Sequence, residues 1–258
     1  MMIHKTAIIS PNAQLADNVE VGPNCVIDEG AKIGEGTSVQ VGAYITGDTT
    51  IGKDCKIFPY AIIGIGPQDL KFAGEPTSVV IGDNNTIREF VTIHKGTAGG
   101  GGVTRIGNNN LLMAYSHVAH DCQLGNSLAL ANASSLAGHI DVESHSVIGG
   151  LAGIHQFVQI GRYSIVGGCS GVDRDILPFS QAAGNRARLF GLNLTGLRRA
   201  GFPPDKIGML KEIYHLLFKA NLKREEALEQ ISKEFGEHEE ARHIVEFIRR
   251  SKRGLCSP

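Results

Sequence analysis

A parallel β-helix followed by a small α-helical domain is the fold class that this 258-residue sequence predicts, on three observations. Aliphatic residues recur at every sixth position over the first two thirds, and a small residue recurs four places after them. Beyond about residue 192 the apolar spacing changes to three and four, as in helices. Composition agrees: 33 glycines, no tryptophan and 6% aromatic residues leave an interior of aliphatic and small side chains.

The repeat opens with Ile3, Ile9, Leu15, Val21, Ile27, Ile33, Val39, Ile45, Ile51, Ile57 and Ile63. It returns at Ile81, Ile87 and Ile93, then runs unbroken from Ile106 to Val172, making 26 positions in all. Period six joins a short strand to a turn, so three hexads form one triangular coil of 18 residues. With strands stacked ~4.8 Å apart, about nine coils build a prism roughly 40 Å tall. The small phase, from Ala7, Ala13 and Val19 through Cys25 to Cys55 and Ala61, marks a second inward row. Glycines after the aliphatic residue, as at Gly22, Gly34, Gly52 and Gly161, suit corners where a Cβ is crowded or φ is positive. Cys25, Cys55 and Cys122 fall on the small phase and read as core. The five cysteines include no CxxC pair, which excludes a disulfide framework and a cysteine zinc site.

The β-helix is assigned to residues 1–177, with loops at 64–80 and 94–105 where the phase breaks. Gln68, Asp69 and Lys71 make the first loop the expected binding element, whereas the glycine-rich second suits either a binding loop or a passive excursion. Residues 178–191 are expected as a linker, and 192–258 as a domain of three short helices covering the last coil's open edge. Pro204 and Asp205 lead into Ile207, Leu210, Ile213, Tyr214 and Leu217 at helical intervals.

The net charge of −1 argues against nucleic acid as a partner, because phosphate binders carry a basic excess. Residues 1–177 are nevertheless net −6 and residues 178–258 net +5, so the tail is expected to meet an acidic partner. No apolar run approaches the roughly 18 residues of a spanning helix, and the amino terminus has no signal-peptide core. A cytoplasmic protein without membrane insertion is expected.

Column arithmetic points to the chemistry. Residue i stacks under i+18, which places His120, Gly138 and Gln156 in one column, with His139 one place after it and His155 one place before. His117 lies near the same rim. Clustered imidazoles suit either a metal or proton transfer, and Asp121 suits either a turn or a carboxylate orienting a base. No G-x-S-x-G elbow, Walker A loop or dinucleotide fingerprint is present, so direct transfer assisted by a base is expected.

The segments QDLKFAGEP, TIREFVTIHKGT, HVAHDCQLGN, LAGH, GGLAGIHQF, VGGCSGV and GNRARLFGLNLTGLRRAGF resemble the UDP-N-acetylglucosamine acyltransferases of lipid A biosynthesis, within the hexapeptide-repeat acyltransferases. The resemblance runs essentially end to end. It implies a left-handed coil, an exception to the usual right-handed crossover, assembled as a homotrimer with sites between subunits. It also implies transfer of a 3-hydroxyacyl group from the phosphopantetheine of acyl carrier protein to the glucosamine 3-position of UDP-N-acetylglucosamine or its 3-amino analogue, with no cofactor and no metal. His120 then matches the general base with Asp121 beside it, and Gly138 matches the residue whose N–H stabilises the oxyanion. Gln68, Asp69, Lys71, His117, His139, His155 and Gln156 match the substrate cleft, Asn193 and Arg199 nucleotide contacts from a neighbouring subunit, and Gly168 the limit on acyl length. Two departures stand out: Thr195 where relatives carry Glu, and Arg186 where they carry His. The other readings kept are the related N-acyltransferases, which carry an extra amino-terminal domain, a γ-type carbonic anhydrase with a zinc site, and a noncatalytic solenoid.

Overall fold

The computed structural model describes residues 2–258, of which those up to Leu192 form a prism of three sheets with eleven, nine and eight strands among the described residues. All strand pairs in the coils are parallel, and the register measures the coil directly. Ile3 pairs with Val21 and Leu111 with Ala129, 18 residues apart. Ile57 pairs with Ile87 and Ile87 with Leu112, because the two excursions lengthen those coils. Hexad residues such as Ile27, Ile45, Ile63, Ile93 and Val118 are fully buried along the axis, each worth about 1.5–3 kcal/mol of hydrophobic stabilisation. In the first coil Ile3 is 44% exposed. Cys25, Cys55 and Cys122 are buried as expected.

Crowding, rather than positive φ, explains Gly22, Gly34, Gly52 and Gly161. A Cβ on Gly34 would lie 2.6 Å from the Gly52 carbonyl carbon in the next coil. Positive φ falls instead on the second corner residue, where Asn, Asp, His, Tyr and Phe are held left-handed by the ladder on both sides.

The excursions are shorter than the breaks in the repeat. Strands Ile62–Ile65 and Ser78–Ile81 flank the first, leaving 66–77, and strands Thr92–His94 and Val103–Ile106 flank the second, leaving 95–102. Four-residue strands with their own pairing, such as Val79 with Thr104, carry the ladder past the point where the hexad phase is lost.

Residues 178–191 are not a linker. Strand Ser180–Ala183 continues the eleven-stranded sheet beside Ile165–Val166, and strand Arg188–Leu192 folds back antiparallel on it. This hairpin, not the helices, covers that sheet's exposed edge. Small residues such as Ala182 replace the aliphatic hexad there, which hides the strand from the periodicity.

Four helices follow rather than three: α1 Leu194–Arg199, α2 Pro204–Phe218, α3 Arg224–Phe235 and α4 Glu239–Arg250. The short α1 is capped by Asn193, whose Oδ1 accepts the Gly196 N–H. The domain is fastened to the coils by charge: the Arg250 guanidinium donates to Glu143 and Gln159, His243 meets Glu143 at 2.7 Å, and Arg162 reaches Glu239 at 2.7 Å. Among the described residues no helix is long and apolar enough to cross a membrane.

Candidate active site

Where the nine-stranded sheet turns toward the eight-stranded one, three coils present His120–Asp121, Gly138–His139 and Gln156–Phe157 at equivalent places. The backbone sets them in step, the His139 N–H donating to the His120 carbonyl and the Phe157 N–H to the Gly138 carbonyl. The His139 ring stacks on Phe157 at 4.6 Å, and the His120 ring meets His139 edge-on at 5.0 Å. A Cβ on Gly138 would lie 2.4 Å from His120 Cε1, so the missing side chain is what lets the imidazole lie there. Among the described residues no hydrogen-bond acceptor takes the Gly138 N–H.

Asp121 has a side chain with no solvent exposure. Its Oδ1 accepts the Thr97 N–H at 2.9 Å, and its Oδ2 accepts both the Thr97 hydroxyl at 2.7 Å and His120 Nδ1 at 2.8 Å. An ionised carboxylate can only accept, so His120 carries its proton on Nδ1 and keeps the Nε2 lone pair for a substrate. The surrounding imidazoles are held neutral near pH 7. Burial pushes His94 down to about 4, and burial with His120 nearby lowers His117, whose Nδ1 also meets the Thr92 hydroxyl at 2.7 Å. Burial likewise lowers His139 from its ordinary value, with Asp121 and Asp69 acting the other way.

The histidines expected in one cluster divide into two groups. His120, Asp121 and His139 form the corner, whereas His117 and His155 line a groove of about 690 Å³ on the nine-stranded sheet. Its floor is the outward column His117, Ser135, Gly153 and Gly171, whose side chains shrink toward Asn185 and Arg186. Repeating the 18-residue step from His117 finds this column in the sequence. Gln156 is exposed, and its carbonyl meets His155 Nδ1 at 3.2 Å.

Gln68, Asp69 and Lys71 ride on the first excursion, where Asp69 accepts the Lys71 N–H at 3.0 Å. Glu75 of the same excursion accepts the Ala98 N–H of the second at 3.2 Å, tying the two together. Asn193 and Arg199 are not brought to this corner within the chain. The Asn193 side chain caps α1 and donates to the Tyr163 carbonyl at 2.9 Å, and Arg199 is exposed at the end of α1. Gly168 sits at the opposite edge of the nine-stranded sheet, outside the groove, where a Cβ would lie 3.2 Å from the Gly150 carbonyl oxygen. Of the departures, Arg186 pairs with Asp173 at 2.9 Å and lines the groove, and Thr195 is exposed.

His120, Asp121 and His139 offer ligand atoms within 4.8 Å of one another, near enough for a metal ion. Asp121 Oδ2 already accepts two hydrogen bonds, one of them from His120 itself, so a cation held between Oδ2 and the His120 ring would have to break that pair. The arrangement favours a base and its orienting carboxylate.

A family model described as UDP-N-acetylglucosamine O-acyltransferase, domain 2, matches residues 175–256. An acyl-[acyl-carrier-protein]--UDP-N-acetylglucosamine O-acyltransferase from Thermodesulfovibrio yellowstonii is 51% identical over 254 residues, 98% of each chain. One of the same name from Myxococcus xanthus is 47% identical, also over 98% of each. The LpxA structure from Acinetobacter baumannii superposes with a TM-score of 0.97 at 40% identity, covering 99% of this chain and 100% of that one.

Proposed function

The chain belongs to the UDP-N-acetylglucosamine O-acyltransferase family, and from that premise we propose that it moves a 3-hydroxyacyl group from acyl carrier protein to the glucosamine 3-hydroxyl of UDP-N-acetylglucosamine, with His120 as general base. The left-handed parallel β-helix is that family's fold. The 3-hydroxyl is preferred over a 3-amino group because the relatives are named as O-acyltransferases. The reaction belongs to lipid A biosynthesis.

The observation that carries the mechanism is the 2.8 Å bond from His120 Nδ1 to a buried Asp121. His120 Nε2 removes the proton of the acceptor hydroxyl as its oxygen attacks the thioester carbonyl, and Asp121 stabilises the imidazolium that forms. The carbonyl oxygen becomes an oxyanion, for which the Gly138 N–H is the donor. Collapse of that intermediate forms the ester, breaks the C–S bond and returns the proton from His120 to the phosphopantetheine thiolate. No metal or cofactor enters this scheme. Gln68, Asp69, Lys71, His117, His139, His155 and Gln156 hold the acceptor, and Gly168 limits the acyl chain.

We further infer a homotrimer in which a neighbouring subunit closes the site and supplies Asn193 and Arg199. Tyr60, Phe90 and Tyr115 support this reading: they stack at 5.3 and 4.9 Å along the corner opposite His120, yet are 49%, 43% and 61% exposed in the single chain. An apolar ladder of this kind suits burial against a second copy. The cytoplasm, where a carrier-borne donor would be met, is the proposed location.

The test is incubation with UDP-N-acetylglucosamine, its 3-amino analogue and a panel of 3-hydroxyacyl carrier proteins, with products identified by mass spectrometry. An ester at the 3-position is expected. An amide formed only with the analogue would replace the acceptor, and no acyl product with either sugar would overturn the reading.

A further inference from the structure

We propose that Thr97 is a positioning residue for the base, its backbone N–H and hydroxyl clamping Asp121 so that one carboxylate oxygen fixes the His120 proton on Nδ1. The inference rests on the reading of His120 as general base. Thr97 lies in the second excursion, 24 residues from Asp121 in sequence, and is itself buried.

The geometry is that of a built holder. Thr97 supplies donors to both oxygens of Asp121, at 2.9 and 2.7 Å, while the Asp121 N–H donates to the Thr104 hydroxyl at 2.8 Å on the far side of the same loop. The Thr97 carbonyl accepts the Gly100 and Gly102 N–H groups at 3.0 and 2.8 Å, which folds the loop back on itself. A Cβ on Gly100 would fall 2.0 Å from Asp121 Cγ, and one on Gly96 2.8 Å from its Oδ1. The glycine run is therefore the space the carboxylate occupies. Charge-assisted donors in a dry site are about twice as strong as neutral ones and hold both the charge and the angle of Asp121.

Thr97 and His120 share Oδ2 as acceptor, and this gives the clamp a signature of its own. Removing the threonine hydroxyl leaves the His120 ring as the hydrogen-bond donor that remains on Oδ2. The other titratable groups facing the pair, His94 and His117 on the preceding strands, His139 on the next coil and Asp69 on the first excursion, are left in place.

Thr97→Val, Thr97→Ser and His120→Gln are to be compared in the whole protein by kcat, by KM and by 15N NMR of the His120 ring. Thr97→Val is expected to lower kcat on the order of tenfold with KM for UDP-N-acetylglucosamine little changed, since a positioned base contributes through orientation. The 15N signals of the His120 ring shift with it, and Thr97→Ser restores both. If Thr97→Val does not fold, Thr97→Ala carries the same expectation without the extra methyl group. Unchanged turnover, or a loss that Thr97→Ser does not restore, overturns the clamp while His120→Gln remains inactive. A His120→Gln enzyme that turns over normally overturns the base itself, and the clamp with it.

Discussion

The two excursions from the prism meet at one corner and are built in opposite ways. The first, residues 66–77, presents Gln68, Asp69, Lys71 and Glu75, all exposed or half-buried. The second, residues 95–102, ends in four consecutive glycines, yet its Thr97 is the residue that grips Asp121. Their roots are neighbours, Ile65 pairing with His94 through a register shift. Polar side chains advertise a binding loop, whereas glycines can mark a loop whose backbone must come within hydrogen-bonding distance of something buried.

The largest break expected in this comparison removes what both excursions border. His120→Ala should reduce turnover by a factor on the order of 10²–10⁴, the range for loss of a general base, with the coil still folded. Steady-state rates alongside circular dichroism check it, and near-normal turnover in a folded variant would remove His120 from the role.

Most of the fold is legible because a coil repeats one physical problem. Ile27, Ile45 and Ile63 each fill the same axial space, so the period of six follows from packing alone. The strand Ser180–Ala183 is not legible, since it joins the ladder through backbone pairing while its small side chains break the period. The same division runs through the site. Stacking arithmetic finds His120, Gly138 and His139 because the 18-residue step is rigid. Thr97 escapes it, because its bond to Asp121 depends on the path of a loop that has no period. Composition leaves the role of the glycine-rich segment open for that reason: what matters there is the volume the residues leave free.

A second effect separates the roots of the loops by acidity. His94, 4% exposed at the root of the second excursion, is held neutral by burial, its pKa pushed down to about 4 from an ordinary 6.5. Between those values the unfolded chain binds a proton at this position that the folded one does not, so stability is full above pH 6.5 and falls as the pH drops toward 4. Melting temperatures measured between pH 7 and 4 should fall, and His94→Gln should flatten the slope over that window. A slope unchanged by His94→Gln would assign the acid sensitivity to His117 and His139, whose values are also lowered by burial.

The smallest effects decide the comparison most directly, because they set one loop's kcat against the other's KM. Gly100→Ala places a methyl group 2.0 Å from Asp121 Cγ, and neither partner can yield without moving the carboxylate. A displaced orienting group degrades the transition state more than the bound ground state, so kcat should drop on the order of tenfold with KM nearly constant. Lys71 in the first excursion is exposed, and an exposed charge pair is worth about 0.2–1 kcal/mol. Lys71→Ala should therefore raise KM for the UDP-sugar only about two- to fivefold and leave kcat alone. The two variants measured side by side should fall on different axes. If Gly100→Ala raises KM without touching kcat, the second excursion is a binding loop like the first. If Lys71→Ala lowers kcat, the first excursion shapes the transition state as well, and side-chain content and backbone approach are then not the distinction that separates them.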